Sequence, residues 1–263
     1  MNFDSIAKNM QVIVIAGGMG ERLRHRTHDE VPKALLKLGD KPIIDYCIEL
    51  FSKNGFRDFV FLLGHGGEKL KEYIGDGKKF GISTKYSLEK EKLGKAGALK
   101  YALDSGVIDP QKAGIITYPD DLILNKDFPR QLIRRHLAGK EKGCLSTVVR
   151  VNKTQYRYGV VDTDDEGFVI SFEEKPFVMR PANVAIYVLE PEVFDIINRS
   201  VHLEKKPIDF EDVVVPELVR RRVLFSFTMP YESWIPINEE KEFRAAEKVL
   251  GINGAAYTDE EKK

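Results

Sequence analysis

Gln11 to Arg24 reads QVIVIAGGMGERLR. Its first six residues form a short apolar run rich in β-branched side chains. Such a run, stopped by glycines, predicts a strand buried on both faces over Gln11 to Ala16. The glycines Gly17, Gly18 and Gly20 then let backbone N–H groups turn towards an anion with no Cβ in the way. Arg22 and Arg24 place positive charge beside them. A glycine cluster at the carboxyl end of the first strand of an α/β sheet lies where ligands bind. It is not the G-x-x-x-x-G-K-[ST] phosphate loop, because no Gly-Lys pair follows at that spacing. Nor is it G-x-G-x-x-G, since Leu23 stands where the third glycine belongs. Taken alone, the cluster is also compatible with a tight turn carrying solvated arginines.

Strands and helices alternate outward from this segment. Asp40 is expected to cap a helix from Pro42 to Phe51, with proline in its first turn. Phe59 to Leu63, FVFLL, reads as a second buried strand. Lys69 to Ile74 reads as helix ending at Gly75-Asp76-Gly77. Ile82 to Leu88 is a third strand, Ala96 to Leu103 a third helix, and Gly114 to Thr117 opens a fourth strand. This alternation predicts an α/β fold with a doubly wound, mostly parallel sheet. The second half reads differently. Leu145 to Val151 alternates as a strand. Tyr158 to Val161 and Phe168 to Phe172 flank the turn-rich stretch Asp162 to Gly167, a hairpin signal. Val184 to Leu189 and Leu224 to Thr228 are further strands. Phe210, Val213, Val214 and Leu218 fall at helical spacing, as do Phe243, Ala246 and Leu250. The expected organisation is one domain over 1–263: a nucleotide half of about 1–144, then an inserted second lobe with a C-terminal helix over about 145–263. The tail Thr258 to Lys263 is expected to fray.

Composition narrows the partners. Lys plus Arg and Asp plus Glu both number 41, so the chain carries no net charge. That gives no electrostatic reason to expect nucleic acid or a membrane surface. No apolar run approaches the roughly 20 residues that a spanning helix needs. Met1 to Met10 lacks the apolar centre of a signal peptide. Cys47 and Cys144 read as two reduced thiols, which fits the cytoplasm. The five histidines show no metal-ligand spacing. Glu89 to Lys92 reads as a solvated loop, and the lone Trp234 as a core residue.

Read onward, GGMGERLRHRTHDEVPKALL resembles the signature of the sugar-1-phosphate nucleotidyltransferases, G-G-x-G-[TE]-R-L-x-P-x-T followed by P-K-x-L. His25 stands where that pattern has proline. LGKAGALKYAL (Leu93 to Leu103) is similar to the family's L-G-T-A-G-A-L, with Lys95 at the threonine. ITYPDD (Ile116 to Asp121) ends the fourth strand where the family carries a metal-binding aspartate. Glu174-Lys175-Pro176 matches its E-K-P segment, and Asn183 to Tyr187 resembles N-x-G-I-Y, with Ala185 at the glycine. The resemblance spans roughly residues 11 to 250.

The resemblance implies a Rossmann-like nucleotidyltransferase with an inserted sugar-binding lobe. It implies NTP and a glucose or mannose 1-phosphate as substrates, and Mg²⁺ as cofactor. Nucleotide contacts would come from Ala16, Gly17, Gly18, Gly20, Glu21 and Arg22, with Gly97 and its neighbours lining the base pocket. Arg22 and Lys33 would hold phosphate oxygens, and Asp120 would hold Mg²⁺. Lys175 would take the sugar phosphate, Glu174 and Asn183 its hydroxyls, with Gly159 close to the ring. The family's second metal carboxylate falls after the late tryptophan; here Trp234-Ile235-Pro236-Ile237-Asn238 offers Asn238. That substitution keeps open a catalytically impaired relative that binds the same ligands in a regulatory role. Homo-oligomer formation, the base and the sugar stay open at this point. A nicotinamide-dependent oxidoreductase would need the third glycine and an acid closing the second strand; neither is present.

Overall fold

The computed structural model describes residues 2–18, 20–205 and 207–252. The tail Thr258 to Lys263 lies outside them, as does Met19 of the glycine cluster. In chain order the elements are α1 (Phe3–Asn9), β1 (Gln11–Ala16), α2 (Ile43–Ser52), β2 (Asp58–Leu63), α3 (Gly67–Ile74), β3 (Ser83–Leu88), α4 (Gly94–Asp104) and β4 (Gly114–Thr117). Then follow β5 (Asp121–Ile123), α5 (Phe128–Lys140), β6 (Ser146–Val151), β7 (Val160–Thr163), β8 (Val169–Glu173) and β9 (Ala182–Leu189). The chain continues through α6 (Pro191–Ser200), α7 (Phe210–Arg220), β10 (Leu224–Met229), β11 (Trp234–Pro236) and α8 (Glu240–Val249).

Every residue of β1 is buried, and the strand pairs in parallel with β2 on one side and β4 on the other. The central sheet runs β10-β6-β9-β4-β1-β2-β3. Only β9 opposes the rest, pairing antiparallel with both β4 and β6. The side chains of β1 alternate between two cores. Val12, Val14 and Ala16 join Ile44, Ile48, Phe51, Leu70 and Leu132 on one face. Ile13 and Ile15 join Leu99, Phe194, Phe210 and Leu218 on the other. Helices therefore cover both faces, as the doubly wound expectation requires.

A third cluster gathers Leu23, Leu36, Leu38, Ile43, Leu122, Ile237, Phe243 and Ala246. It fastens the segment after the glycine turn to β5 and α8, so the N-terminal site segment rests on the end of the described chain. Arg26 extends this join, with Nε 2.6 Å from Glu240 Oε2 and its guanidinium 4.0 Å above the Phe243 ring.

The structure departs from the sequence reading at Asp40 and adds the helices α1, α5 and α6, which that reading does not contain. Asp40 does not cap α2; the residue before that helix is Pro42. Gly39 and Asp40 instead turn a small hairpin that pairs Lys37–Leu38 with Lys41–Pro42, and Gly39 takes φ 73°. The boundary near residue 144 does not divide the sheet, because β6, β9 and β10 lie in the same sheet as β1. What leaves the sheet is the excursion between β6 and β9. There β7 and β8 pair antiparallel, and every residue of both is exposed.

Candidate active site

The carboxyl ends of β1 and β2 open onto a cleft of about 760 Å³. Ala16, Gly17, Gly18, Gly20, Glu21, Arg22, Lys33, Asp120 and Asn238 all line it. These residues are scattered along the sequence, and the fold brings them to one wall. Gly20 adopts φ 66°, and a Cβ there would meet the Cβ of Lys33 at 3.0 Å. Glycine is thus required both for the turn and for the lysine stem that packs against it.

Lys33 is the centre of the polar wall. Its Nζ donates to Asp120 Oδ2 at 2.5 Å and to Asn238 Oδ1 at 3.1 Å. The loops carrying these partners are tied by backbone as well, Ile237 N donating to Asp120 O at 2.7 Å. β5 pairs antiparallel with β11, setting Asp121 opposite Pro236. This ladder explains how Asn238 reaches Asp120 despite the distance between them in sequence.

Asp121 turns away from the cleft. Its Oδ1 accepts the indole N–H of Trp234 at 2.7 Å. Burial of the carboxyl group, and then the charge of Asp120, push Asp121 up to about 8, although the residue keeps some exposed surface. Asp121 is thus taken up by Trp234, and Asp120 is the carboxyl that faces the cleft. Trp234 is half-buried, as a packing and hydrogen-bonding residue, and does not line the cleft.

Several expected residues lie elsewhere. Gly97 is buried inside α4, its N–H donating to Ile208 O at 3.3 Å, while Gly94, Lys95 and Ala98 reach the cleft wall. The helix turns Gly97 inward, because only one face of α4 meets the cleft. Gly159, Glu174, Lys175 and Asn183 do not line the cleft. A Cβ on Gly159 would meet the Phe172 ring at 2.9 Å and Glu174 Oε2 at 3.0 Å, so its small size serves the packing of the excursion. Lys175 lies 3.4 Å from Glu174 Oε1 and takes φ 48°. Asn183 is spent internally: Nδ2 donates to Tyr187 Oη at 2.7 Å, and Oδ1 accepts the Ala185 N–H at 2.8 Å.

One corner of the cleft is richer in charge than the sequence reading expects. Glu89 is not simply solvated. It lines the cleft, its Oε2 accepts the Leu93 N–H at 3.4 Å, and burial raises its carboxyl. Lys95 sits 2.7 Å from Glu211 Oε2, and Tyr118 and Asp209 complete that end. The one sequence signal for this corner is Lys95 itself, a charge in an otherwise small and apolar run. Among the described residues, no group of three or more His, Cys, Asp and Glu could hold a metal by itself.

Residues 11–248 match the family model described as nucleotidyl transferase. The chain belongs to the nucleotidyl transferase family. It is 33% identical over 244 residues to a mannose-1-phosphate guanyltransferase of Pichia angusta, covering 89% of this chain and 62% of that protein. It is 28% identical over 251 residues to a UTP–glucose-1-phosphate uridylyltransferase of Synechocystis sp., covering 89% of this chain and 61% of that protein. The nucleotidyl transferase match thus spans about three fifths of the length of these curated relatives. Among solved structures, a candidate glucose-1-phosphate thymidylyltransferase from Bacillus anthracis in complex with sucrose superposes with a TM-score of 0.71. It is 21% identical, covers 91% of this chain and 94% of that one, and shows the shared fold.

Proposed function

We propose that this chain transfers a nucleotidyl group from an NTP to a hexose 1-phosphate, of the glucose or mannose type, releasing pyrophosphate. The observation that carries this reading is the cleft wall itself. A glycine turn, Arg22, Lys33 and Asp120 face one cavity at the carboxyl end of the first strand. The sugar phosphate oxygen attacks the α-phosphorus, a new P–O bond forms, and the bond to the β-phosphate oxygen breaks. Such a displacement needs in-line positioning and charge neutralisation more than covalent help.

In this reading the N–H groups about Gly17, Gly18 and Gly20 hold the triphosphate, with Ala16 and Glu21 beside them. Arg22 and Lys33 stabilise charge gathering on the leaving pyrophosphate. Asp120 and the neutral oxygen of Asn238 would hold Mg²⁺, which when bound neutralises phosphoryl charge. Lys175 holds the sugar phosphate and Glu174 faces a sugar hydroxyl once the excursion that carries both moves against the cleft, whereas Asn183, on β9, reaches a hydroxyl by giving up its bonds to Tyr187 and Ala185. Residues 1–263 form one domain in this reading. The cytoplasm suits two unpaired buried thiols, and burial raises Cys47 to about 12. No helix among the described residues is long and apolar enough to cross a membrane.

The test is pyrophosphate release with GTP, UTP, dTTP and CTP against glucose 1-phosphate and mannose 1-phosphate, with Mg²⁺. Turnover with at least one pair is expected. Binding of a pair without any release would instead point to a catalytically impaired, regulatory relative, a reading that this chain's named relatives do not favour.

A further inference from the structure

The ammonium of Lys33 occupies the place a small cation would take. One charged nitrogen lies between Asp120 Oδ2 and Asn238 Oδ1, oxygens borne on separate loops. Only 12% of the Lys33 side chain is exposed and 29% of Asp120, so solvent screens the pair poorly. The lysine stem is held against Gly20, with the ammonium within hydrogen-bond reach of both oxygens. Carboxylate and amide oxygens converging on one point are also the donors that a hard divalent cation accepts. The protein offers one charged oxygen ligand there, because Asn238 is neutral and Asp121 is turned to Trp234.

We propose that Lys33 is the resident counter-cation of Asp120 in the nucleotide-free chain, so that lysine and a divalent metal use this carboxylate in turn and never together. The inference rests on the nucleotidyl-transfer reading for its purpose. A partly buried carboxylate left alone is costly, and the lysine removes that cost before substrate arrives. The same ammonium repels a divalent ion from the empty cleft. A triphosphate changes the balance, because its oxygens give Lys33 a second set of anions. Lys33 then leaves Asp120, and the freed carboxylate meets a metal delivered on the nucleotide. Lys33 is therefore a positioning residue in the free state as well as a phosphate contact in the loaded one. The device enforces an order in which the free protein carries little metal.

Mn²⁺ titration of the nucleotide-free protein, followed by loss of the free-ion electron paramagnetic resonance signal, tests this. The comparison is wild type, Lys33→Met and Lys33→Met/Asp120→Asn. Lys33→Met is expected to bind one Mn²⁺ at least about tenfold more tightly than wild type, and the double variant to lose that gain. Lys33→Gln keeps a hydrogen-bond donor without the charge, and it carries the same expectation should the methionine variant fail to fold. A folded neutral variant with unchanged affinity, or a gain that survives loss of Asp120, overturns the proposal. No NTP is present in these titrations. Tighter Mn²⁺ binding beside a panel without turnover would uphold the cation exchange and reject only the nucleotidyl reading.

Discussion

Ala185 lies in β9 with φ 61°, a left-handed conformation that costs any residue with a Cβ. The ladder between β9 and β6 slips there, between Asn183 and Tyr187, so the strand bulges at this alanine. The resemblance places glycine at this position, and the backbone shows why. Ala185→Gly is expected to raise stability by about 0.5–1 kcal/mol, read from denaturant midpoints. An unchanged or lower midpoint would show that the methyl group packs well enough to offset the strain. Arg22 has a different task, since it faces the cleft. Arg22→Ala should lower kcat by about 10²–10³ with the fold intact, if its charge acts mainly on the leaving pyrophosphate. Steady-state pyrophosphate release measures this, and a wild-type rate removes Arg22 from the chemistry. Glu190 shows a charge used for the fold alone. Its carboxylate meets His136 Nε2 at 2.9 Å and Lys140 Nζ at 2.6 Å, holding α5 to the end of β9. Burial pushes the Glu190 carboxyl up, but the hydrogen bonds and charges of His136 and Lys140 together outweigh it and hold Glu190 below its usual value. A carboxylate lowered in the folded state stabilises fully above its unfolded value of about 4.3, and the gain disappears as pH falls through the folded value. Glu190→Gln should therefore cost about 1–3 kcal/mol at pH 7 and progressively less in acid. Urea melts at pH 7 and pH 3 check the sign, and an equal cost at both would exclude an ionic origin.

Among the elements, α4 shows how a helix start is built into the cleft. Gly94 takes φ 77°, and a Cβ there would lie 2.4 Å from Ile208 O. The Ile208 carbonyl also accepts the Ala96 N–H, and Asp209 Oδ1 accepts the Lys95 N–H at 3.3 Å. The first turn of α4 thus satisfies its free donors on the segment before α7. Gly94→Ala meets both backbone strain and a backbone clash, and should cost more than about 2 kcal/mol in thermal or urea unfolding. β1, β2 and β4 are legible because each is an apolar run ended by glycine or a polar turn. β1 and β2 need no tertiary knowledge, and the hairpin of β7 and β8 follows from its turn residues. The Asp40 cap fails because a Gly-Asp pair serves a hairpin turn as readily as a helix start. α1 is only seven residues long with one buried side chain, so periodicity has little to detect. The cleft is legible in its motifs but not in its pairings. Lys33 meets Asp120 across 87 residues and Asn238 across 205, and no local pattern encodes such contacts. Glu89 fails for the same reason, since its burial depends on Gly17 and Gly64, which flank it only in the fold.

Across the whole molecule, stability is unevenly distributed. The central strands β1, β2 and β4 are nearly sealed, and helices cover both faces of their sheet. The excursion of β7 and β8 has no such cover. Phe168, Ile170 and Phe172 are each more than 60% exposed, and so are Tyr158 and Met179 beside them. A lone two-stranded hairpin is marginal in water, since it has little apolar contact to resist opening. Its tie to the body is the short pairing of Thr154–Gln155 with Phe177–Val178, where Phe177 packs edge-on to Tyr231 at 5.2 Å. The proposed sugar-phosphate residue Lys175 rides on this excursion, while the proposed nucleotide residues sit on the sealed sheet. Hydrogen exchange should therefore separate the two. Amides over 158–175 are expected to exchange by local opening at least about a hundredfold faster than those of β1 and β4, which need global unfolding. Addition of a hexose 1-phosphate with a nucleotide should slow the excursion amides and leave the sheet unchanged, because only the excursion has to move to bring Lys175 to the cleft. Peptide-resolved mass spectrometry reads both effects. Slow exchange of the excursion without ligand would mean that it is already fixed in place. No slowing with turning-over substrates would detach Lys175 from the sugar phosphate.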